Sequence, residues 1–173
     1  MKFFVSLLIG LLGVVAAPVR AQSDNPDMTA EVLGVYFTPP ANSVTAIIKA
    51  IDGSEREVLV QAYGFTHNGI AQALLRAHQR GVLVRVLLDK KSASSNRYVI
   101  GILENAQINV RQDGKHAIAH NKVMVIDQTI VITGSFNFTN SAATRNAENL
   151  LVLKSADLAE KYRLQWQHHW AHG

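Results

Sequence analysis

Two residues near the middle of this 173-residue chain have the types and the spacing needed for phosphate chemistry. His120 and Lys122 are two positions apart at the start of an apolar run, and side chains two apart on a β-strand project from the same face. An imidazole can attack phosphorus and form a covalent intermediate, while an ammonium stabilises negative charge on the non-bridging oxygens. The lysine charge also favours the neutral, nucleophilic histidine. The pair therefore predicts a site for a phosphate diester.

A second polar group follows the apolar run and the strand after it. Ser135 and Asn137 share parity directly after Gly134, a residue type that lets a backbone or a ligand approach closely. The serine hydroxyl and the asparagine amide can both bind phosphate oxygens. Asp127 has the opposite parity to His120 and lies at a predicted turn, where aspartate commonly accepts hydrogen bonds from nearby backbone amides. We therefore expect Asp127 to have a mainly structural role within the same motif.

These residues form two blocks, H-x-K-x-x-x-x-D from His120 to Asp127 and G-S-x-N from Gly134 to Asn137, and Glu148 follows them. The combination resembles the phospholipase D superfamily. The small size, the single motif and the apolar N-terminus resemble the bacterial endonucleases of that superfamily, which work without divalent metal. The candidate site then comprises His120, Lys122, Asp127, Ser135, Asn137 and Glu148.

The resemblance implies a role for each of these side chains. His120 is expected to be the nucleophile, Asn137 a phosphate ligand and Ser135 a nearby polar contact. Glu148 matches the position of an acid that bonds the far ring nitrogen of His120 and fixes its tautomer. The implied reaction is hydrolysis of DNA or RNA through a phosphohistidine, with no metal and no cofactor. No base-reading motif is present, so little sequence preference is expected.

One histidine cannot supply both the nucleophile and the general acid at the leaving oxygen. A second H-x-K would provide the missing group, but no other histidine has a lysine two places later; the others are His67, His78, His116, His168, His169 and His172. The second histidine must then come from another copy of the chain. We therefore predict a homodimer with one composite site on its two-fold axis.

The elements that must position these residues alternate between strand and helix patterns. Apolar alternation and runs predict strands over 31–37, 57–62, 82–88, 108–111, 122–126, 130–133 and 149–153. Helical spacing predicts helices over 43–51, 68–80, 97–105 and 156–169. The alternation favours an α/β fold, with a mixed, largely parallel sheet flanked by helices on both faces. No linker divides residues 22–173, which we take as one catalytic domain.

The first 21 residues are typical of an export signal. Lys2 is followed by an uncharged apolar run over residues 3–17, and Val19-Arg20-Ala21 offers small residues for cleavage. A retained anchor is the alternative, but the run is short for a membrane span. Cleavage would leave 15 of the 17 basic residues against 13 acidic ones, a formal charge of +2 in place of +4. We expect a periplasmic or secreted enzyme without stable membrane association.

Other interpretations remain open at this stage. The chain has no cysteine, which excludes disulfides, thiolate metal sites and cysteine nucleophiles. A lipid phosphodiesterase would use the same chemistry, and a non-catalytic nucleic-acid-binding module could share the fold. His67 follows a strand end, where α/β sites often lie, although it can equally precede and cap a helix. His116 can contact a nucleic-acid backbone or lie in a solvated loop. The three histidines near the C-terminus resemble a metal tract, but a helix end favours cations in any case.

Overall fold

The computed structural model of the protein describes residues 28–173, and within them five α-helices cover one seven-stranded sheet. The strands are β1 (Glu31–Thr38), β2 (Glu57–Ala62), β3 (Leu83–Asp89), β4 (Asn109–Asp113), β5 (Lys122–Ile126), β6 (Ile130–Gly134) and β7 (Glu148–Lys154). The helices are α1 (Ser43–Asp52), α2 (Asn68–Gln79), α3 (Ala93–Asn105), α4 (Asn140–Thr144) and α5 (Ala156–Trp170). The export signal predicted for residues 1–21 lies outside the described residues.

The sheet has the strand order β1-β7-β6-β5-β2-β3-β4. Only β2–β3 and β3–β4 pair in parallel, and the other four pairs are antiparallel. The prediction of a mixed α/β fold is confirmed, but the expectation of a largely parallel sheet is wrong. Parallel neighbours need a crossover, which α2 and α3 supply. The tight turn at residues 127–129 reverses the chain between β5 and β6, and β2–β5, β6–β7 and β1–β7 are antiparallel as well.

Two apolar clusters cover the two faces of the sheet, as predicted. The larger contains residues of α1, α2 and α3, and the smaller contains residues of α5. Strand β5 contributes to both, because Met124 and Ile126 lie in the first cluster while Val123 and Val125 lie in the second. Trp166 of α5 is fully buried, and its indole nitrogen donates to a backbone carbonyl of β2 at 2.9 Å. The site strand is therefore held rigidly from both sides.

The predicted elements match the observed bounds within two residues at each end, with one exception. Helix α3 begins at Ala93 and not at Arg97, because Asp89 caps a preceding 3-10 turn through the backbone N–H of Ser92. The short helix α4 was not predicted, since five residues are too few to show a helical period. Among the described residues, no helix is long and apolar enough to cross a membrane.

Candidate active site

The candidate residues come from the ends of three neighbouring strands. Lys122 begins β5, Gly134 ends β6 and Glu148 begins β7, and these ends meet at one edge of the sheet because the three strands alternate in direction. Together they form an open cleft of about 420 Å³. Its lining residues are His120, Lys122, Gly134, Ser135, Asn137 and Glu148. The structure thus brings together five of the six predicted site residues.

His120 lies next to the last residue of the loop that connects β4 to β5, and it is exposed to solvent. The backbone is fixed on both sides of it. The N–H of Ala119 donates to Oδ1 of Asp89 at 2.8 Å. The carbonyl of Asn121 accepts from the N–H of Tyr63 at 3.0 Å. The Tyr63 ring also lies beside the imidazole, with the ring centroids 4.7 Å apart. An accessible ring on an anchored backbone is what a nucleophile requires.

Lys122 is buried, with only 7% of its surface exposed. Its Nζ donates to the carbonyl oxygen of His120 at 2.7 Å and lies 5.6 Å from the centre of the Tyr63 ring. Burial lowers the pKa of Lys122, and the negative charge of Glu148 acts in the opposite direction. The amino group is therefore held against the histidine backbone, where it can meet the oxygens of a phosphate that the histidine attacks.

Glu148 forms a hydrogen-bonded unit with Ser135 on the other wall of the cleft. The Ser135 hydroxyl donates to Glu148 Oε2 at 2.6 Å and accepts from the N–H of Asn149 at 3.0 Å. The other carboxylate oxygen accepts from Nδ2 of Asn146 at 3.0 Å. Within the described residues no hydrogen bond joins Glu148 to His120, so the expected orienting contact is absent from the single chain. Each carboxylate oxygen of Glu148 instead accepts one hydrogen bond, from Ser135 or from Asn146.

Asn137 lines the cleft, but its Oδ1 is buried and has no hydrogen-bond partner among the described residues. The amide therefore leaves Nδ2, a donor, for an oxygen in the cleft. Two glycines allow close packing around the cleft. A Cβ on Gly64 would lie 3.2 Å from the methyl carbon of Thr139 and at ordinary contact distance from Asn137. Gly134 has φ of +152°, and a Cβ there would collide with the carbonyl oxygen of Asn149.

The family described as "Cardiolipin synthase, PLD-like domain" matches residues 47–170, a range that contains the whole lining of the cleft. This match covers most of the chain. The chain belongs to the phospholipase D superfamily. The resemblance drawn from the two motifs is confirmed, and the chain has the phosphodiesterase fold of that superfamily.

Two solved structures show how much of the chain the fold explains. The chain is similar to the phospholipase D family member Nuc from Salmonella typhimurium, with a TM-score of 0.80 and 33% identity over 84% of this chain and 97% of Nuc. NucT from Helicobacter pylori has a TM-score of 0.75 and 25% identity over 83% of this chain and 98% of NucT. Both alignments take in nearly all of the other chain, so the three share one structural unit.

Relatives in the superfamily have names that refer to lipids. "Phospholipase D" of Rickettsia felis is 40% identical over 151 residues, which are 87% of this chain and 76% of the relative. "Mitochondrial cardiolipin hydrolase" of Xenopus laevis is 33% identical over 118 residues, which are 68% of this chain and 56% of the relative. The matched segment is thus a smaller part of the frog protein than of the Rickettsia protein.

Two further residues contact this phospholipase D-type site, and the sequence interpretation did not select them. Tyr63 flanks both His120 and Lys122, while Asn146 holds Glu148. Buried Asn96 fixes the tyrosine, since its Nδ2 donates to the Tyr63 carbonyl at 2.8 Å. An aromatic residue directly after a buried strand was the available signal for Tyr63. For Asn146 no signal existed, because its contact depends on the turn before β7.

His67, which the sequence offered as a possible site residue, lies outside the cleft. His67 precedes α2, and its Nδ1 accepts from a backbone N–H in the first turn of that helix at 3.4 Å. Burial lowers the pKa of His67, and its own backbone hydrogen bond acts in the opposite direction. His67 is not among the residues that line the cleft. It serves as a helix cap.

Asp127 of the superfamily motif lies at the far end of β5 and does not line the cleft. Five residues of extended chain separate it from Lys122, about 17 Å along the strand. Its carboxylate accepts three backbone N–H groups, from Glu55 at 2.9 Å, Arg56 at 2.7 Å and Glu57 at 3.0 Å. Its φ of +52° places it in the left-handed region of a turn. Asp127 therefore joins the β5–β6 turn to the start of β2 and is remote from the reacting atoms.

Substitution of Asp127 by alanine is expected to lower the free energy of unfolding by about 2–4 kcal/mol, because three backbone N–H groups lose a charged acceptor. Activity per folded molecule should stay within about twofold, since the carboxylate is far from the cleft. Urea unfolding and phosphodiester hydrolysis measure the two quantities. Asp52→Ala is the matched control, because it removes only an exposed ion pair with Arg76. A stable Asp127→Ala protein with activity lost would contradict the structural role.

Proposed function

We propose that the protein is an endonuclease that hydrolyses phosphodiester bonds of DNA or RNA without sequence preference and without a divalent metal. The observation that carries this proposal is the character of the cleft. His120 and Lys122 lie on one side, Ser135 and Asn137 lie on the other, and every side chain that lines it is polar. An open polar cleft suits an extended phosphate backbone, which is the same for every base sequence.

The proposed reaction has two steps, and the second histidine gives up a proton in the first step and gains another from water in the second. In the first, a ring nitrogen of His120 attacks phosphorus, an N–P bond forms, and the leaving oxygen departs with a proton from a second, protonated histidine. Lys122 and Nδ2 of Asn137 stabilise the non-bridging oxygens. In the second, the now neutral second histidine takes a proton from water, and the water oxygen attacks phosphorus as the N–P bond breaks. The products are a phosphate monoester and an alcohol.

In this proposal the second histidine is His120 of the partner subunit, in a homodimer with one composite site. An uncovered apolar face supports a second copy as the occupant next to the cleft. Helix α5 covers the middle of its face of the sheet, but Val32, Val35 and Phe37 of edge strand β1 remain exposed, Phe37 by 64%. Phe37 pairs with Asn149, one residue after a cleft residue. Exposed apolar patches of this kind commonly mark interaction sites.

A lipid phosphodiesterase is the second candidate, because relatives at 40% and 33% identity have the names phospholipase D and cardiolipin hydrolase. The two candidates share the chemistry at phosphorus and differ in what binds beyond it. Acyl chains need an apolar surface, and no apolar side chain is among the residues that line the cleft. The exposed side chains of β1 would have to provide that surface, in which case they would not be available for a partner subunit.

Export is also part of the proposal, and it rests on Lys2 and the apolar run over residues 3–17. The mature enzyme would act in the periplasm or outside the cell. We propose no stable membrane association after cleavage of the signal. Mass spectrometry of the secreted or periplasmic protein should give the mass of a chain that begins near Gln22. That result would support cleavage.

Nicking of supercoiled plasmid in excess EDTA is the experiment that tests the proposed function. We expect the rate to stay within about twofold of the rate without EDTA, because the cleft supplies its charge stabilisation from side chains. Hydrolysis of phosphatidylcholine and cardiolipin vesicles is measured with the same preparation, and an RNA substrate tests the second nucleic acid. His120→Asn protein, purified identically, corrects for contaminating nucleases.

Each outcome separates the candidates. Nicking that disappears in EDTA would contradict the metal-independent mechanism. Lipid turnover without nicking would contradict the nuclease and support the lipid phosphodiesterase. If the folded protein hydrolyses neither nucleic acid nor lipid, the remaining candidate is a non-catalytic module that binds nucleic acid.

A further inference from the structure

We propose that the protein has a second site, which binds one zinc-class divalent transition-metal ion through Asp113, His116 and His169. One ligand atom from each of these residues lies within 4.8 Å of the other two. Asp113 ends β4, His116 lies in the loop that leads to His120, and His169 lies near the end of α5. The inference stands apart from the phosphodiester chemistry and does not rest on it.

The chemistry of the three ligands fits zinc. Two imidazoles and a carboxylate are ligands that Zn²⁺ binds in proteins, with bond lengths of about 2.0–2.2 Å and a fourth position open to water. Tetrahedral ligands of that kind lie about 3.3 Å apart. Asp113 Oδ2 and His116 Nδ1 are now 2.7 Å apart, and the ring centroids of His116 and His169 are 4.7 Å apart. Small side-chain rotations would place all three around one ion.

The carboxylate is already oriented toward the proposed ion. Asp113 is 1% exposed, and its Oδ1 accepts the backbone N–H groups of Lys115 at 3.0 Å and His116 at 3.2 Å. These bonds fix the plane of the carboxylate and leave Oδ2 toward the histidines. A ligand whose other atom is held by hydrogen bonds is the usual arrangement around protein-bound metals.

The His169 ring is also held in place. Its Nδ1 lies 2.7 Å from the amide of buried Gln61, and its Nε2 lies 2.7 Å from the amide of exposed Gln165. A neutral imidazole has one donor and one acceptor nitrogen, so the two amides must present different atoms to it. Gln61 is fixed in β2 and can orient the ring. Gln165 is free to turn away and leave Nε2 to an ion.

The neighbouring histidines do not form an equivalent site. His168 and His172 are 3.4 Å apart at their Nε2 atoms, and His172 also contacts the Lys115 ammonium at 3.3 Å. Neither belongs to the group that converges on a carboxylate. The sequence suggested a C-terminal histidine tract, whereas the structure selects His169 from it and joins this residue to Asp113 and His116. A histidine tract would bind the ion through all of its exposed histidines, whereas the proposed site uses only His169 from this part of the chain.

The position of the site indicates what the ion would do. Asp113 lies at the end of β4, three strands from β5 in the sheet, and none of the three proposed ligands lines the phosphate cleft. The ion would tie the loop before His120 to α5, and thereby stabilise the segment that carries the nucleophile.

Zinc binding to the metal-stripped protein tests this inference by calorimetry and thermal unfolding, with ZnCl₂ alone as the probe. We expect one ion per chain, and a rise in Tm of about 5–10 °C at a free zinc concentration of about 100 times Kd. The double variant His116→Gln/His169→Gln should lose at least about 100-fold in affinity and show no rise in Tm. His168→Gln, one residue away on the same helix, is the matched control and should bind like the wild type.

If the wild type binds zinc no more tightly than the double variant does, the inference is wrong. An equal loss of affinity in His168→Gln would also overturn it, because a solvated histidine tract would then be the ligand. If the double variant does not fold, single His116→Gln decides the question, since 41% of this side chain is exposed and its loss should disturb the fold little. The zinc measurement uses no nucleic acid, so the two proposals are tested independently. Zinc binding can be absent in a protein that nicks plasmid in EDTA, and it can be present in a protein that does not nick plasmid.

Discussion

Replacement of His120 by asparagine is expected to lower kcat/KM for plasmid nicking by a factor of about 10⁴ or more. In the composite dimer one substitution removes two groups, because His120 of one subunit is the nucleophile and His120 of the other is the general acid. Asparagine can accept and donate hydrogen bonds but can neither form the phosphohistidine nor carry the proton at neutral pH. Initial rates over a range of enzyme concentration measure the loss.

The fold should not change with this substitution, because the imidazole is exposed and contributes little to the core. Equal unfolding midpoints of the variant and the wild type are the first control. His168→Asn on α5 is the second, since it alters an exposed histidine outside the cleft. Residual activity above about 1% of wild type, in a preparation free of other nucleases, would contradict the assignment of His120 as nucleophile.

A dimer assembled from one His120→Asn subunit and one Lys122→Ala subunit is expected to have less than about 1% of wild-type activity. The composite site of this dimer would contain one His120 and one Lys122, whereas the proposed reaction uses two of each. Two different affinity tags on coexpressed chains allow the mixed dimer to be isolated. Nicking by that dimer, compared with both parent homodimers, is the measurement.

A mixed dimer of wild type and His120→Asn sharpens the comparison. If each subunit had a complete site of its own, this dimer would retain about half of the wild-type activity. The composite site predicts almost none, because the substitution removes either the nucleophile or the acid from the only site. Activity near one half would therefore contradict the shared site, while a monomer in solution would contradict the dimer itself.

Much of the local structure follows from the sequence because it depends on neighbours along the chain. The apolar run over Lys122–Ile126 predicted a strand, and the structure places Met124 and Ile126 in one apolar cluster and Val123 and Val125 in the other. Helix α3 shows the limit of such reasoning. Its first turn is set by Asp89, whose carboxylate also accepts from the N–H of Ala119 far along the chain. A serine-rich segment gives no sign of such a contact.

The pairing of the strands was the part of the fold that sequence patterns described least well. A strand has the same alternation whether its neighbour runs parallel or antiparallel to it, so periodicity cannot distinguish the two. The connections do carry the information, and the three-residue turn between β5 and β6 required an antiparallel pair. The antiparallel pairing continues from β6 to β7 and from β7 to β1. It depends on the order of the strands in the sheet, which no local sequence pattern contains.

The sequence by itself predicted the candidate site, because His120, Lys122, Ser135 and Asn137 have the types and spacings for phosphate chemistry, and the structure brings all four into one cleft. Tertiary structure alone decided which groups those side chains meet. It placed Glu148 in contact with Ser135 and Asn146, placed Tyr63 beside His120, and brought His169 of the last helix to Asp113 of β4. The physical reason is that a motif specifies side chains along one strand. Their hydrogen-bond partners arrive from other strands and loops, and only the folded sheet sets those distances.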